Sequence, residues 1–189
     1  MKKFENWNEE YKDASEVVGF EQIPVGPQIV EILKVEDIAE KEYLKIAFDI
    51  ADGKYKGFFR RIFDADTRAD KKWPNSGITY RSYKKSADRF FMAFIKALDK
   101  SNDKFNGTTW DWNEKKLVGL KFVANFAEEE YISENEIKVS VKCAEVRSIQ
   151  ALTEGNIKNI ERKCLPDEDK EYYEDKKQNI EVTEDDLPF

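Results

Sequence analysis

The chain has 189 residues, 40% hydrophobic and 13% aromatic, which suffices for one packed domain, while 38% charged residues indicate that part of it lies outside any core. It contains no histidine and only two cysteines, Cys143 and Cys164. Ser-His and Cys-His nucleophiles are thereby excluded, and a zinc site from the usual donors is not expected. The net charge of −7 belongs to one end: residues 165–189 hold ten Asp or Glu against three Lys, leaving residues 1–164 balanced.

The N-terminal MKKFENWNEEYKD lacks the apolar run of a secretory leader, and no apolar stretch reaches the roughly 18 residues of a membrane-crossing helix. A cytoplasmic protein without a membrane partner is the expectation. After Gly26-Pro27, the run QIVEILKVE (28–36) predicts a first strand. YLKIAFDIA (43–51) predicts a second, with Leu44, Ile46, Phe48 and Ile50 on one face. Asp52-Gly53 is a hairpin signal, so KYKGFFRRIF (54–63) is expected to return as a third strand. Alternation there leaves both faces with a ring and a charge. The preferred arrangement turns Tyr55, Phe59 and Phe63 inward and Phe58 outward, with a bulge near Arg60-Arg61.

Residues 64–79 lack either period and are expected to form a long loop, of the kind that is often functional. From 80 to 98 the spacing of Tyr83, Ala87, Phe90, Phe91, Phe94, Ile95 and Leu98 predicts a helix. A hairpin follows, 117–132 and 136–146, turning at Ser133-Glu134-Asn135 and placing Cys143 on the apolar face. Three strands, a helix and two strands is the order of a five-stranded oligonucleotide-binding (OB) barrel, so a mainly β OB-fold domain over residues 1–164 is expected. Residues 165–189 read as a disordered acidic tail.

Inside the domain the strongest signal lies between Lys54 and Arg89, where eleven basic residues face four Asp. Interleaved rings include Tyr55, Phe58, Phe59, Phe63, Trp73, Tyr80 and Tyr83. Cations that neutralise phosphates, mixed with rings on which bases stack, are what a single strand needs. The candidate contacts are Lys54, Lys56, Phe58, Arg60, Arg61, Lys71, Lys72, Trp73, Arg81, Lys84 and Lys85. Trp73 stands out because it follows Lys71-Lys72 in the long loop, whereas Trp110 and Trp112 read as packing residues. Asp64, Asp66 and Asp70 have a spacing common in surface loops, so neither a metal site, a cofactor nor catalysis is expected.

The barrel, the basic aromatic segment and the ending EDDLPF together resemble the single-stranded DNA-binding proteins. The ending carries the resemblance most specifically. Glu184, Asp185, Asp186, Leu187, Pro188 and Phe189 match, one for one, the acidic tip of the bacterial members. The stretches FDIADGKYKGFF, KKWPNSGITYRSY and VRSIQALTEG make the domain similar, over about residues 43–155, to variants encoded by phages and mobile elements of Gram-positive bacteria. The strand pattern of the housekeeping bacterial protein is not found, which leaves the oligomeric state open. The resemblance implies sequence-tolerant binding of single-stranded DNA during replication, recombination and repair in a bacterial host cell. It also implies that the tip recruits partner proteins of those processes, with Phe189 in an apolar pocket and Asp185 and Asp186 against a basic rim. Two other functions stay compatible with these residues: a recombination mediator or strand-annealing protein, and an acidic adaptor that mimics nucleic acid.

Overall fold

The computed structural model describes residues 22–134 and 136–170. Five strands form one antiparallel sheet: β1 (Gly26–Ile38), β2 (Tyr43–Ile50), β3 (Ile78–Ser82), β4 (Lys121–Ser133) and β5 (Glu136–Arg147), in the order β3-β2-β1-β4-β5. Among the described residues three α-helices accompany them: α1 (Phe58–Ala65) before β3, α2 (Asp88–Asp99) before β4, and α3 (Ile149–Thr153) after β5. The fold is mainly β, as expected. The sheet, however, is open: among the described residues no ladder joins β3 to β5, and a side-chain bond from Ser76 Oγ to the Val141 carbonyl (2.6 Å) crosses the seam.

Sequence phase explains the register. Val30 and Ile32 point into the core, but the next buried residue of β1 is Val35, three positions on. A bulge between Ile32 and Lys34 absorbs the extra residue, sending Lys34 outward and Val35 inward. β2 alternates without interruption, so Leu44, Ile46 and Phe48 are buried while Tyr43, Lys45 and Ala47 line the opposite face. The core gathers these residues with Phe58, Phe59, Phe94, Leu98, Phe122 and Phe126, several of the rings meeting edge to face.

The expected strand over 54–63 is a helix in its second half. Gly53 and Gly57 both hold positive φ (75° and 72°), so the chain turns twice instead of returning as a hairpin arm. Phe58, Phe59, Ile62 and Phe63 then recur at helical spacing. Both Phe58 and Phe59 are buried, which corrects the outward placement of Phe58: neighbours in a strand oppose each other, whereas neighbours in a helix lie only 100° apart. The helix start is held by a carboxylate from another element. Asp49, buried at the end of β2, accepts the backbone N–H of Phe59 at 2.9 Å through Oδ1 and that of Arg60 at 3.1 Å through Oδ2.

The third strand lies where a loop and a helix start were expected. Ile78–Ser82 pairs with β2, a 3-10 turn covers Lys85–Ala87, and α2 begins only at Asp88. Phe91, Phe94, Ile95 and Leu98 keep the expected buried stripe, but Phe90 is 76% exposed. The hairpin of β4 and β5 turns at Glu134, whose φ is 56°. Cys143 packs against the core, and burial pushes its thiol up to about 11, so it behaves as a small core residue.

Beyond α3 the chain returns along β4. Asn125 Nδ2 donates to the Lys158 carbonyl, and Lys163 forms a parallel bridge with Glu129, occupying the edge of β4 that β1 leaves free. The Leu165 N–H donates to Glu130 and Lys170 pairs with the same carboxylate, so the described start of the acidic segment, 165–170, lies against β4. The tip, Glu184 to Phe189, lies outside the described residues. No helix among the described residues is long and apolar enough to cross a membrane.

Candidate nucleic-acid interface

The outward positions of three adjacent strands build one surface. Register pairs Lys34 with Ala47 and Glu36 with Lys45, and then Lys45 with Tyr80 and Ala47 with Ile78. These residues, bordered by Lys72, Trp73 and Asn75, line a groove of about 250 Å³. Tyr80 is 54% exposed and is braced edge-on by Tyr43, 5.4 Å away. Three lysines face the groove against one glutamate. Lys34 sits 3.7 Å from that glutamate, Glu36, with both side chains exposed, and such a pair is worth at most about 1 kcal/mol. Lys45 and Lys72 have no carboxylate partner among the described residues.

Trp73 forms the end wall. Its indole N–H donates to the carbonyls of Phe48 and Gly77, both at 3.2 Å, and its ring packs against the core and lies 5.5 Å from the Phe63 ring. Gly77 makes this possible, because a Cβ there would lie 2.6 Å from Trp73 Nε1 and 2.9 Å from the Phe59 ring. The Arg60 guanidinium stands 5.4 Å from the Trp73 ring and ties α1 to that wall residue. Trp73 is therefore both a lid over the core and a wall of the groove.

The other expected contacts are dispersed. Lys71 is half-buried, with Nζ 4.5 Å over the Phe63 ring. Lys54 lies 5.3 Å over Tyr55, and Arg61, 5.9 Å from the Phe58 ring, donates to the Lys56 carbonyl at 2.6 Å. These three cations, Lys54, Lys56 and Arg61, are exposed around the start of α1. Arg81 points inward: its guanidinium lies 5.6 Å from Phe94, burial lowers its pKa, and Nε is buried with no hydrogen-bond partner among the described residues. Lys84 is exposed beyond β3, and Lys85 is held by Asp88 at 2.8 Å, which raises its pKa. Phe58 is sealed inside the core. Of the eleven candidates, Lys72 and Trp73 line the groove, and Arg60 stands beside the Trp73 ring without lining it. Lys34, Lys45 and Tyr80 complete it, and the strand alternation that buries Leu44 and Ile46 was the signal for Lys45.

Asp66 is tied to Arg68, which brings its carboxyl down to about 2. Among the described residues no three His, Cys, Asp or Glu side chains are placed to hold a metal ion. In the other half of the sheet, around β4, basic residues are present but matched. Glu128 takes Arg162, Glu129 takes Lys142 and Lys163, and Glu130 takes Lys170. The two lysines hold the Glu129 carboxyl down at about 2.

A second aromatic group lies beyond the β1–β2 turn. Trp112 is 69% exposed, stacks on Phe91 at 5.7 Å and 8°, and lies 5.3 Å from Trp110. Its backbone is left-handed, φ 62°, a conformation that costs a bulky residue about 1–3 kcal/mol. No family model and no curated protein matches this chain.

Proposed function

We propose that this protein binds single-stranded nucleic acid, with DNA as the expected form, in a sequence-tolerant way across the outer face of β1, β2 and β3. One observation carries the reading: an open groove in which Tyr80 and Trp73 offer ring surface between Lys34, Lys45 and Lys72. Phosphates of a strand laid along the groove meet the ammonium groups, and bases stack on the rings. No base-edge reader is required, since every base has a π-face.

The architecture supports the same reading. The order β3-β2-β1-β4-β5, with α2 between β3 and β4, is compatible with an OB barrel, a fold that is characteristically only partly closed. The Ser76–Val141 bond stands where the closing ladder would run. In this reading the acidic segment 165–189 is an appendage whose residues Glu184 to Phe189 recruit replication, recombination or repair proteins, while the chain itself performs no catalysis.

Fluorescence anisotropy with labelled oligo(dT) and a duplex of equal length tests this directly. Single strands are expected to bind more tightly, and affinity should fall with salt as counterions are released. Equal affinity for both forms, or no salt dependence, would overturn the proposal.

A further inference from the structure

The rings beyond the β1–β2 turn enclose a cleft unlike the groove. Tyr83, Phe91, Trp110 and Trp112 wall it, Asp37 and Glu114 supply its charge, and among the described residues no cationic one lines it. Its volume, about 240 Å³, is below the roughly 300–1,000 Å³ of clefts that take a drug-sized molecule. It is sized for a single side chain.

The parts are held in place. Tyr83 meets Phe91 edge-on at 6.1 Å and donates its hydroxyl to Asp37 Oδ1 at 2.8 Å, leaving Oδ2 for another donor. That bond raises the Tyr83 pKa, so the phenol stays neutral. Trp110 is oriented by its N–H bond to the Asn113 carbonyl, and Asn113 in turn caps the 3-10 turn that carries Glu114. Lys115 and Lys116 follow Glu114 in sequence; Lys116 is engaged by Asp111 at 2.9 Å, and neither lines the cleft. Trp112, left-handed and mostly exposed, offers ring surface that the fold does not cover.

A polyanion does not fit this chemistry. Glu36, Asp37, Glu40 and Glu42 make the adjoining turn acidic, and phosphates entering here would meet Asp37 and Glu114. Electron-rich ring faces and carboxylates together select a cation. A guanidinium satisfies both, stacking flat on an indole while its N–H fork bonds a carboxylate.

We propose that this cleft is a cage for an arginine side chain presented by a protein partner, separate from the nucleic-acid groove. It is a docking point that requires neither DNA nor the acidic tip.

The test follows the tryptophan indole N–H signals of the full chain by NMR, assigned through single Trp→Phe variants. The probes are acetyl-arginine amide and its uncharged isostere, acetyl-citrulline amide. The arginine probe should shift the Trp110 and Trp112 signals saturably in the millimolar range and leave Trp73 unmoved, with citrulline at least about tenfold weaker. Asp37→Asn keeps an acceptor for Tyr83 and should still weaken arginine binding severalfold, as should Glu114→Gln, whereas Trp112→Ala should abolish it. Equal response to citrulline would make the cleft merely apolar. No response, or displacement of the same signals by oligo(dT), would also overturn the proposal. The arginine and citrulline titrations do not bear on whether the β1–β3 groove binds a strand; only the oligo(dT) arm touches both readings.

Discussion

The two halves of the sheet carry similar basic side chains and do opposite things with them. Along β4, Arg162, Lys163 and Lys170 of the returning chain and Lys142 of β5 are spent on Glu128, Glu129 and Glu130, tying both segments to the strand. Across β1, β2 and β3, Lys45 and Lys72 face an open groove with no carboxylate partner among the described residues and with rings beside them. The first arrangement holds the fold together, and the second is free for an external anion. Basic residues mark an interface only where the fold leaves their charge unmatched.

The largest expected effect separates core from groove. Phe58→Ala should cost about 3–5 kcal/mol of stability, because the ring is fully buried between Tyr55, Phe59 and the core. Urea unfolding measures it. A loss below about 1 kcal/mol would return Phe58 to the surface. Tyr80→Ala should do the reverse, leaving stability nearly unchanged and weakening oligo(dT) binding by about 1–3 kcal/mol.

A paired substitution sharpens the comparison of the two halves. Lys45→Ala with Lys72→Ala removes two phosphate contacts, so the slope of log affinity against log salt should shrink by about 1.4. Lys142→Ala with Lys163→Ala removes as much positive charge from the other half and should leave that slope unchanged. Identical effects from the two pairs would mean that net charge, not the groove, governs binding.

The smallest effect concerns acid. The Glu129 carboxyl is depressed to about 2 by Lys142 and Lys163, below its unfolded value. Its contribution to stability is therefore present above about pH 4.5 and lost as pH falls toward 2. Glu129→Gln should flatten that part of the stability profile, measured by thermal unfolding between pH 2 and 5. An unchanged profile would mean that the pairs are too exposed to matter.

Much of the architecture was legible from alternation. β1, β2, β4, β5 and the buried stripe of α2 follow from where the apolar residues fall. The bulge at Leu33 announces itself as a phase change between Ile32 and Val35. The stretch 54–82 was not legible, for a physical reason. Phe58-Phe59 and Ile62-Phe63 fit a helix as well as a strand with a bulge, and the deciding contacts, Asp49 on the N–H groups of Phe59 and Arg60, are ten and eleven residues away. β3 is five residues long and too short for its period to stand out. The misplaced third strand had a consequence for the site. It drew attention to the cations around α1 and away from Lys45 and Tyr80, which only the true pairing of β2 with β3 brings together. Arg81 shows the same limit, since adjacency to Tyr80 in sequence puts it on the opposite face of the strand.

The account's central claim is that a single strand lies on the outer face of β1, β2 and β3. Photo-crosslinking with an oligonucleotide carrying 5-iododeoxyuridine, followed by mass spectrometry of the adducts, tests that claim most directly. Crosslinks are expected at Tyr80 and Trp73, at single-strand concentrations where duplex gives none. Crosslinks concentrated instead at Trp112 or Tyr131, with Tyr80 and Trp73 unmodified, would contradict it.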